Sequence, residues 1–150
     1  MISRILLTLV ICTPAMAEDS ALKKIPPSEF TPAGHTTDSL DVVHQRVRDK
    51  LSVLLDVREQ DEWDAGHLKL AKLLPLSAVK SGNLTAEMKK ALPKDKPVYV
   101  HCKSGGRVLQ VSEILRAQGY DIRPLRAGFS KLQEAGFEAA EDREDGESKE

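Results

Sequence analysis

The chain is poor in aromatic residues, in cysteine and in net charge. Across 150 residues the aromatics make up 4%, two cysteines occur, and the formal net charge is −1. With no global positive field and few rings on which bases could stack, nucleic acid is not the expected partner. No apolar run approaches the roughly 18 residues that a membrane-spanning helix needs. His35, His44, His67 and His101 show no paired spacing with one another or with cysteine, so no metal site is expected. Gly105-Gly106 lacks the Lys-Ser/Thr of a phosphate-binding loop, and no nucleotide or other cofactor is expected. There is no internal repeat. What is present, 41% hydrophobic and 30% charged residues, is the mixture of one globular domain.

The two ends differ from the middle. Arg4, the short apolar run Ile5 to Cys12 and the small-x-small triplet Ala15-Met16-Ala17 form the pattern of a cleavable signal peptide over residues 1–17. Export to the periplasm or the medium is expected, with cleavage after Ala17 and no membrane attachment afterwards. Cys12 follows Val10-Ile11 rather than a small residue, which argues against a lipid anchor. Cleavage leaves Cys102 as the one cysteine of the mature chain, so an internal disulfide is excluded in an oxidising compartment. Residues 18–35, with Pro26-Pro27 and Pro32, read as a flexible leader. Residues 138–150 carry seven acidic side chains against Arg143 and Lys149 and read as a disordered, solvated tail.

Between the ends, helical and strand signals alternate. Asp38 is placed to cap a helix whose apolar stripe is Leu40, Val43, Val47 and Leu51. Val53-Leu54-Leu55 is a continuous apolar run of the kind that fills a buried parallel strand, and it ends in Asp56. A short acidic helix over Gln60 to Ala65 is closed by Gly66. Leu73-Leu74 is a brief strand stopped by Pro75, and Thr85 caps a helix that Pro93 ends. Val98 to His101 is a β-branched and aromatic strand. Val108, Val111, Ile114 and Leu115 make the stripe of a helix running to Gln118, with Gly119 as its stop. Ile122 lies in one more strand, and a last helix runs from Ser130 to Ala135. Alternation of this kind predicts an α/β domain with a parallel sheet.

The chemistry concentrates in Cys102-Lys103-Ser104-Gly105-Gly106-Arg107, between the strand ending at His101 and the next helix. Ligands of open α/β sheets bind at that carboxyl end. Two glycines let successive N–H groups turn inward at a helix start and form a nest for an anion. With Lys103 and Arg107 beside it, such a nest favours a thiolate, so Cys102 reads as a nucleophile rather than as a small buried hydrophobe. His101 is a candidate to support that thiolate or a strand-end residue packed on a neighbour. Trp63 and Tyr99 read as core, and His67 as bonded within its turn.

Leu54-Leu55-Asp56-Val57-Arg58-Glu59, Glu62-Trp63, Gly66-His67-Leu68, Pro75-Leu76 and the Cys102 loop, followed by Gly119-Tyr120, Leu125, Gly128-Phe129 and Ala135-Gly136-Phe137, resemble the rhodanese homology domain over residues 36–137. The resemblance implies a central parallel five-stranded sheet with helices on both faces. It implies a thiosulfate sulfurtransferase in which Cys102 takes sulfane sulfur as a persulfide from thiosulfate or a similar donor and passes it to a thiol or to cyanide. Lys103, Ser104, Gly105, Gly106 and Arg107 would cradle the sulfur, Arg58 would help to bind an anionic donor, and Asp56 would orient a turn.

Some positions depart from the family pattern. Leu68-Lys69-Leu70-Ala71 stands where the family has an aliphatic residue and then Pro-Gly-Ala, Ala127-Gly128 replaces a glycine pair, and Leu132 replaces a frequent tryptophan. A sulfur carrier or partner-binding module without turnover is the alternative reading, opposed by the intact Cys102 and Arg107. A phosphatase or arsenate-reductase-like enzyme is a further one, opposed by a Cys-x4-Arg loop one residue shorter than the Cys-x5-Arg type.

Overall fold

The structure, a computed structural model, describes residues 29–141. The expected signal peptide, residues 18–28 of the leader and residues 142–150 of the tail lie outside the described residues. Helix α1 (Leu40–Arg48) leads into strand β1 (Val53–Asp56), then α2 (Gln60–Asp64), β2 (Ala71–Leu73), α3 (Leu76–Ser81) and α4 (Ala86–Lys90). Strand β3 (Val98–His101), α5 (Arg107–Ala117), β4 (Ile122–Pro124) and α6 (Phe129–Glu134) complete the chain. No helix among the described residues is long and apolar enough to cross a membrane.

All strand pairings are parallel, in the order β2-β1-β3-β4. Strands β1 and β3 are central and apolar on both sides because helices cover both faces. Leu54 faces its register partner Tyr99 in one layer, with Val43 and Val47 of α1 and Leu132 of α6. Leu55 and Val100 face the other layer, with Leu76 and Val79 of α3 and Val108, Val111 and Leu115 of α5. Side chains that alternate along a strand thus fill two separate cores.

The sheet has four strands where five were expected. Beside β4 lies the segment 29–37, which bonds to it from Thr36 N–H to the Pro124 carbonyl at 2.8 Å. Pro124 has no N–H to return, and the segment folds back on itself through Gly34 at φ +87°, so a ladder cannot extend. The packed body therefore begins before the expected boundary at residue 36. It also runs past residue 137: Lys69 N–H donates to Glu138 O (2.9 Å) and Ala140 N–H to His67 O (2.8 Å), which ties the first residues of the expected tail to the body.

Helix α1 is capped by Ser39, not by Asp38. The Asp38 carboxylate instead accepts from the Tyr99 hydroxyl (2.7 Å) and pairs with Arg46 and Arg123, each at 3.2 Å. Helix α3 was not expected; it starts immediately after Pro75 and stops at Gly82 in the left-handed region, φ +73°. The turn at Leu68 to Ala71, lacking the family's glycine, closes through Ala71 N–H to Leu68 O at 3.0 Å without a positive φ at either central residue.

Candidate active site

Strands β1 and β3 end together, with Asp56 and His101 as register partners, and Cys102 follows at that edge. Its side chain is 1% exposed, and its Sγ accepts the Gly105 N–H at 3.1 Å. Residues 103–106 curl around it, Gly105 at φ +86°, before α5 begins at Arg107. The N–H groups of Lys103, Ser104, Gly106 and Arg107 donate to no acceptor among the described residues. The loop is therefore a nest of available donors around one sulfur, the arrangement that holds a small anion. Lys103 and Ser104 place their side chains in solvent.

A second loop holds the nest in shape. Phe129 N–H donates to the Cys102 carbonyl at 3.0 Å, which draws the start of α6 against the cysteine loop. Gly128 lies so close that a Cβ there would sit 1.9 Å from the Lys103 oxygen, and one at Gly105 would sit 2.5 Å from the Arg126 oxygen. Both positions need glycine for space, and Gly105 needs it for its backbone angle as well.

Arg107 is placed by Glu62 of α2. Its guanidinium makes a bidentate pair with that carboxylate, one arm at 2.8 Å, and Glu62 also closes a capping box by accepting the Glu59 N–H at 3.2 Å. The Arg107 hydrogen bonds hold the Glu62 carboxyl down to about 2 against the opposing effect of burial; the Glu59 N–H and the charges of Arg107 and Arg58 lower it further. Arg107 is in turn held above the ordinary guanidinium range, first by the Glu62 hydrogen bonds and then by charge, with the Cys102 sulfur adding to both.

Arg58 lies at the same sheet edge but beneath the surface, 5% exposed. Its Nε and Nη2 grip the Asp56 carboxylate at 2.6 to 3.0 Å, Nη2 also donates to the Gly66 carbonyl (2.9 Å), and its guanidinium lies 4.2 Å from the centre of the Phe129 ring. In this arrangement Arg58 ties β1, the turn after α2 and α6 together at the sheet edge that carries Cys102.

His101 is fully buried, with Nε2 3.7 Å from Asp56 Oδ2 and neither ring nitrogen in a hydrogen bond. Burial pushes its pKa down to about 4, against the pull of the Asp56 carboxylate. The ring is neutral at pH 7 and lends Cys102 no positive charge. Trp63 stacks on His67 at 3.8 Å, and His67 Nδ1 meets the Trp63 carbonyl at 3.1 Å, so His67 is bonded within its turn. The contributions of Glu62 and Gly128 to the site were not foreseen from their residue types. The Glu59-x-x-Glu62 spacing signals a capping box, but nothing local signals a partner 45 residues away.

A parallel α/β sheet whose central strand delivers one buried cysteine into a loop of unbonded backbone N–H groups is built to hold a small anion beside a thiol. The chain belongs to the rhodanese-like domain family, whose model matches residues 39–135. It is 37% identical over 79 residues to the uncharacterized protein YqhL of Bacillus subtilis, covering 52% of this chain and 58% of that one. It is 35% identical over 79 residues to a putative mitochondrial thiosulfate sulfurtransferase of Schizosaccharomyces pombe, covering 48% and 56%. The chain thus spans less than two thirds of the length of these relatives. Among solved structures it resembles a rhodanese-related protein from Thermoplasma volcanium (TM-score 0.55, 26% identity, 67% of this chain and 93% of that one). The human single-domain sulfurtransferase TSTD1 shares the fold, with a TM-score of 0.55, 21% identity and coverage of 73% and 96%.

Proposed function

We propose that the protein is a thiosulfate sulfurtransferase that carries sulfane sulfur on Cys102. The observation that carries this reading is the Cys102 sulfur, bonded by the Gly105 N–H at 3.1 Å inside a loop whose other N–H groups have no protein acceptor. The Cys102 thiolate attacks the outer sulfur of thiosulfate; the sulfur–sulfur bond of the donor breaks and sulfite leaves with the electron pair. The terminal sulfur of the resulting persulfide anion is held by the unbonded N–H groups of Lys103, Ser104, Gly106 and Arg107. An external thiolate or cyanide then attacks that sulfur and Cys102 leaves as the thiolate. This is covalent catalysis by two displacements, with ping-pong kinetics.

Arg58 acts by holding Asp56 and the Gly66 turn rather than by touching the donor. The amino-terminal pattern supports export, with the mature chain starting at Glu18; Cys102 then has no internal resolving thiol and its release depends on an external acceptor. The test is mass spectrometry of the intact protein after thiosulfate, with sulfite measured in parallel. One extra sulfur on Cys102, absent in Cys102→Ser, is the expected result. Sulfite release by Cys102→Ser at the parent rate would show that another group is the nucleophile.

A further inference from the structure

His35 lies upstream of the residues that the family match covers, in a stretch whose composition reads as leader. In the fold it is 8% exposed, and its Nε2 stands 2.8 Å from the carbonyl oxygen of Gly105, 70 residues away. A carbonyl only accepts, so Nε2 carries the proton and, in the neutral ring, Nδ1 is bare. Nδ1 is buried with no partner, so the Gly105 carbonyl is the ring's one polar contact.

The side chain is presented by a turn built for it. Thr31 N–H donates to the His35 carbonyl (2.7 Å), His35 N–H returns to Thr31 Oγ1 (3.1 Å), and Gly34 N–H reaches the Thr31 carbonyl (2.7 Å). Thr36 then fastens the turn to β4 through Pro124, and Phe30 lies 4.2 Å from the Arg116 guanidinium of α5. The strap is anchored on both sides of the residue that touches the loop.

What it touches is the most pliable peptide of the nest. The Gly105–Gly106 unit has no Cβ at either end, so rotating the whole peptide plane meets little steric resistance. A trans peptide is planar, with its C=O and N–H pointing in opposite directions. Fixing the Gly105 oxygen on His35 therefore fixes the Gly106 N–H on the opposite side, away from the strap, as one of the available donors. The N–H of Gly105 itself, at the other side of its Cα in the Ser104–Gly105 peptide, bonds the Cys102 sulfur at 3.1 Å.

We propose that His35 is a positioning residue for the cysteine loop: its Nε2–H fixes the orientation of the Gly105–Gly106 peptide, and so keeps Gly105 and the Gly106 N–H in the arrangement that favours the sulfur anion. This rests on the sulfurtransferase reading for its purpose, but its test does not need sulfur transfer. The rate of Cys102 alkylation by iodoacetamide at neutral pH reports the thiolate directly, with no donor present. One hydrogen bond of ordinary strength, about 1.4 kcal/mol at the upper end of its range, corresponds to a tenfold change. In the full chain, His35→Ala is expected to slow alkylation about tenfold and to shorten the lifetime of the thiosulfate-loaded persulfide. His35→Gln, whose amide can donate to the same oxygen, is expected to recover both to within about threefold, a rescue that lost packing alone would not give. Alkylation in folded His35→Ala at the parent rate would overturn the proposal. Nitrogen NMR of the parent ring gives a check independent of any variant: the Nε2–H tautomer is expected, and an Nδ1–H tautomer would overturn it. If the parent alkylates as expected but takes no sulfur from thiosulfate, the proposed function fails while the role of His35 stands.

Discussion

Replacing His101 by leucine isolates the acid sensitivity built into the central strand. The imidazole is fully buried, lacks hydrogen bonds and titrates in the folded protein near 4, against 6.5 in an open chain. Between those values the unfolded chain binds a proton that the folded chain refuses, so stability is whole above pH 6.5 and falls as the pH drops towards 4. Linkage with these two values gives a loss of about 2.5 kcal/mol by pH 4.5, on a scale where a shift of one unit is about 1.4 kcal/mol. A domain of this size has about 5–15 kcal/mol in total, so the effect is large. Leucine has nearly the same volume and removes two unsatisfied nitrogens, so at pH 7.5 the variant should lie within about 1 kcal/mol of the parent. The assay is urea unfolding followed by circular dichroism at steps from pH 7.5 to 4.5. The parent should lose most of its acid-labile stability there and His101→Leu should stay nearly flat. Equal pH slopes in the two proteins would refute the assignment. Because the ring is neutral at pH 7, His101→Leu should also keep its rate of sulfur transfer.

The Glu62 carboxyl, held near 2, contributes stability that is present above its ordinary value of 4.5 and lost as the pH falls towards 2. With its side chain 26% exposed, solvent screening reduces the contribution to about 1 kcal/mol, and Glu62→Gln should flatten the urea-unfolding profile in that window. Arg107→Ala should lower kcat/KM for thiosulfate by at least about tenfold while destabilising the fold by no more than about 1 kcal/mol, since a partly exposed pair is lost but no fully buried charge is left behind; parent activity in the variant would count against a role for Arg107. Gly128→Ala forces the Lys103 carbonyl aside, so it should cut Cys102 alkylation and transfer together, with a loss of about 1–3 kcal/mol in unfolding. Amino-terminal sequencing of protein recovered from the periplasm or medium should begin at Glu18, and a cytoplasmic protein retaining Met1 would rule out export.

The parts of the fold legible in the sequence are those whose cause is local. Val53 to Asp56 and Val98 to His101 announce themselves because strands buried on both faces must be continuously apolar, and α5 because Val108, Val111 and Leu115 recur at helical spacing. The cysteine nest is legible because Cys102, Gly105, Gly106 and Arg107 fall within one turn of chain. Helix α3 was hidden because six residues after a proline show too few turns for a period to emerge. Asp38 was misread as a cap because Ser39, one residue on, satisfies the helix, leaving the carboxylate to Tyr99, Arg46 and Arg123. What shapes the nest from outside is long-range: Glu62 on Arg107 across 45 residues, Gly128 against Lys103, and His35 on Gly105 across 70. Residue type alone carries no trace of such partners.

Those long-range contacts also bear on where the positive potential at the sulfur comes from. Arg107 lies near Cys102, yet its fork is already occupied by Glu62. Lys103 extends into solvent, where its charge is screened. Arg58 is engaged by Asp56 and Gly66. Oriented N–H dipoles and the start of α5, groups that do not titrate, therefore add to the field at the sulfur beside that of Arg107. A nest of that kind loses its effect when a peptide turns, not when a proton binds. Its anion preference should hold across the neutral range and depend on backbone orientation, which makes the contacts that fix the Gly105–Gly106 peptide and the Gly128 approach as decisive for the chemistry as the charges that surround it.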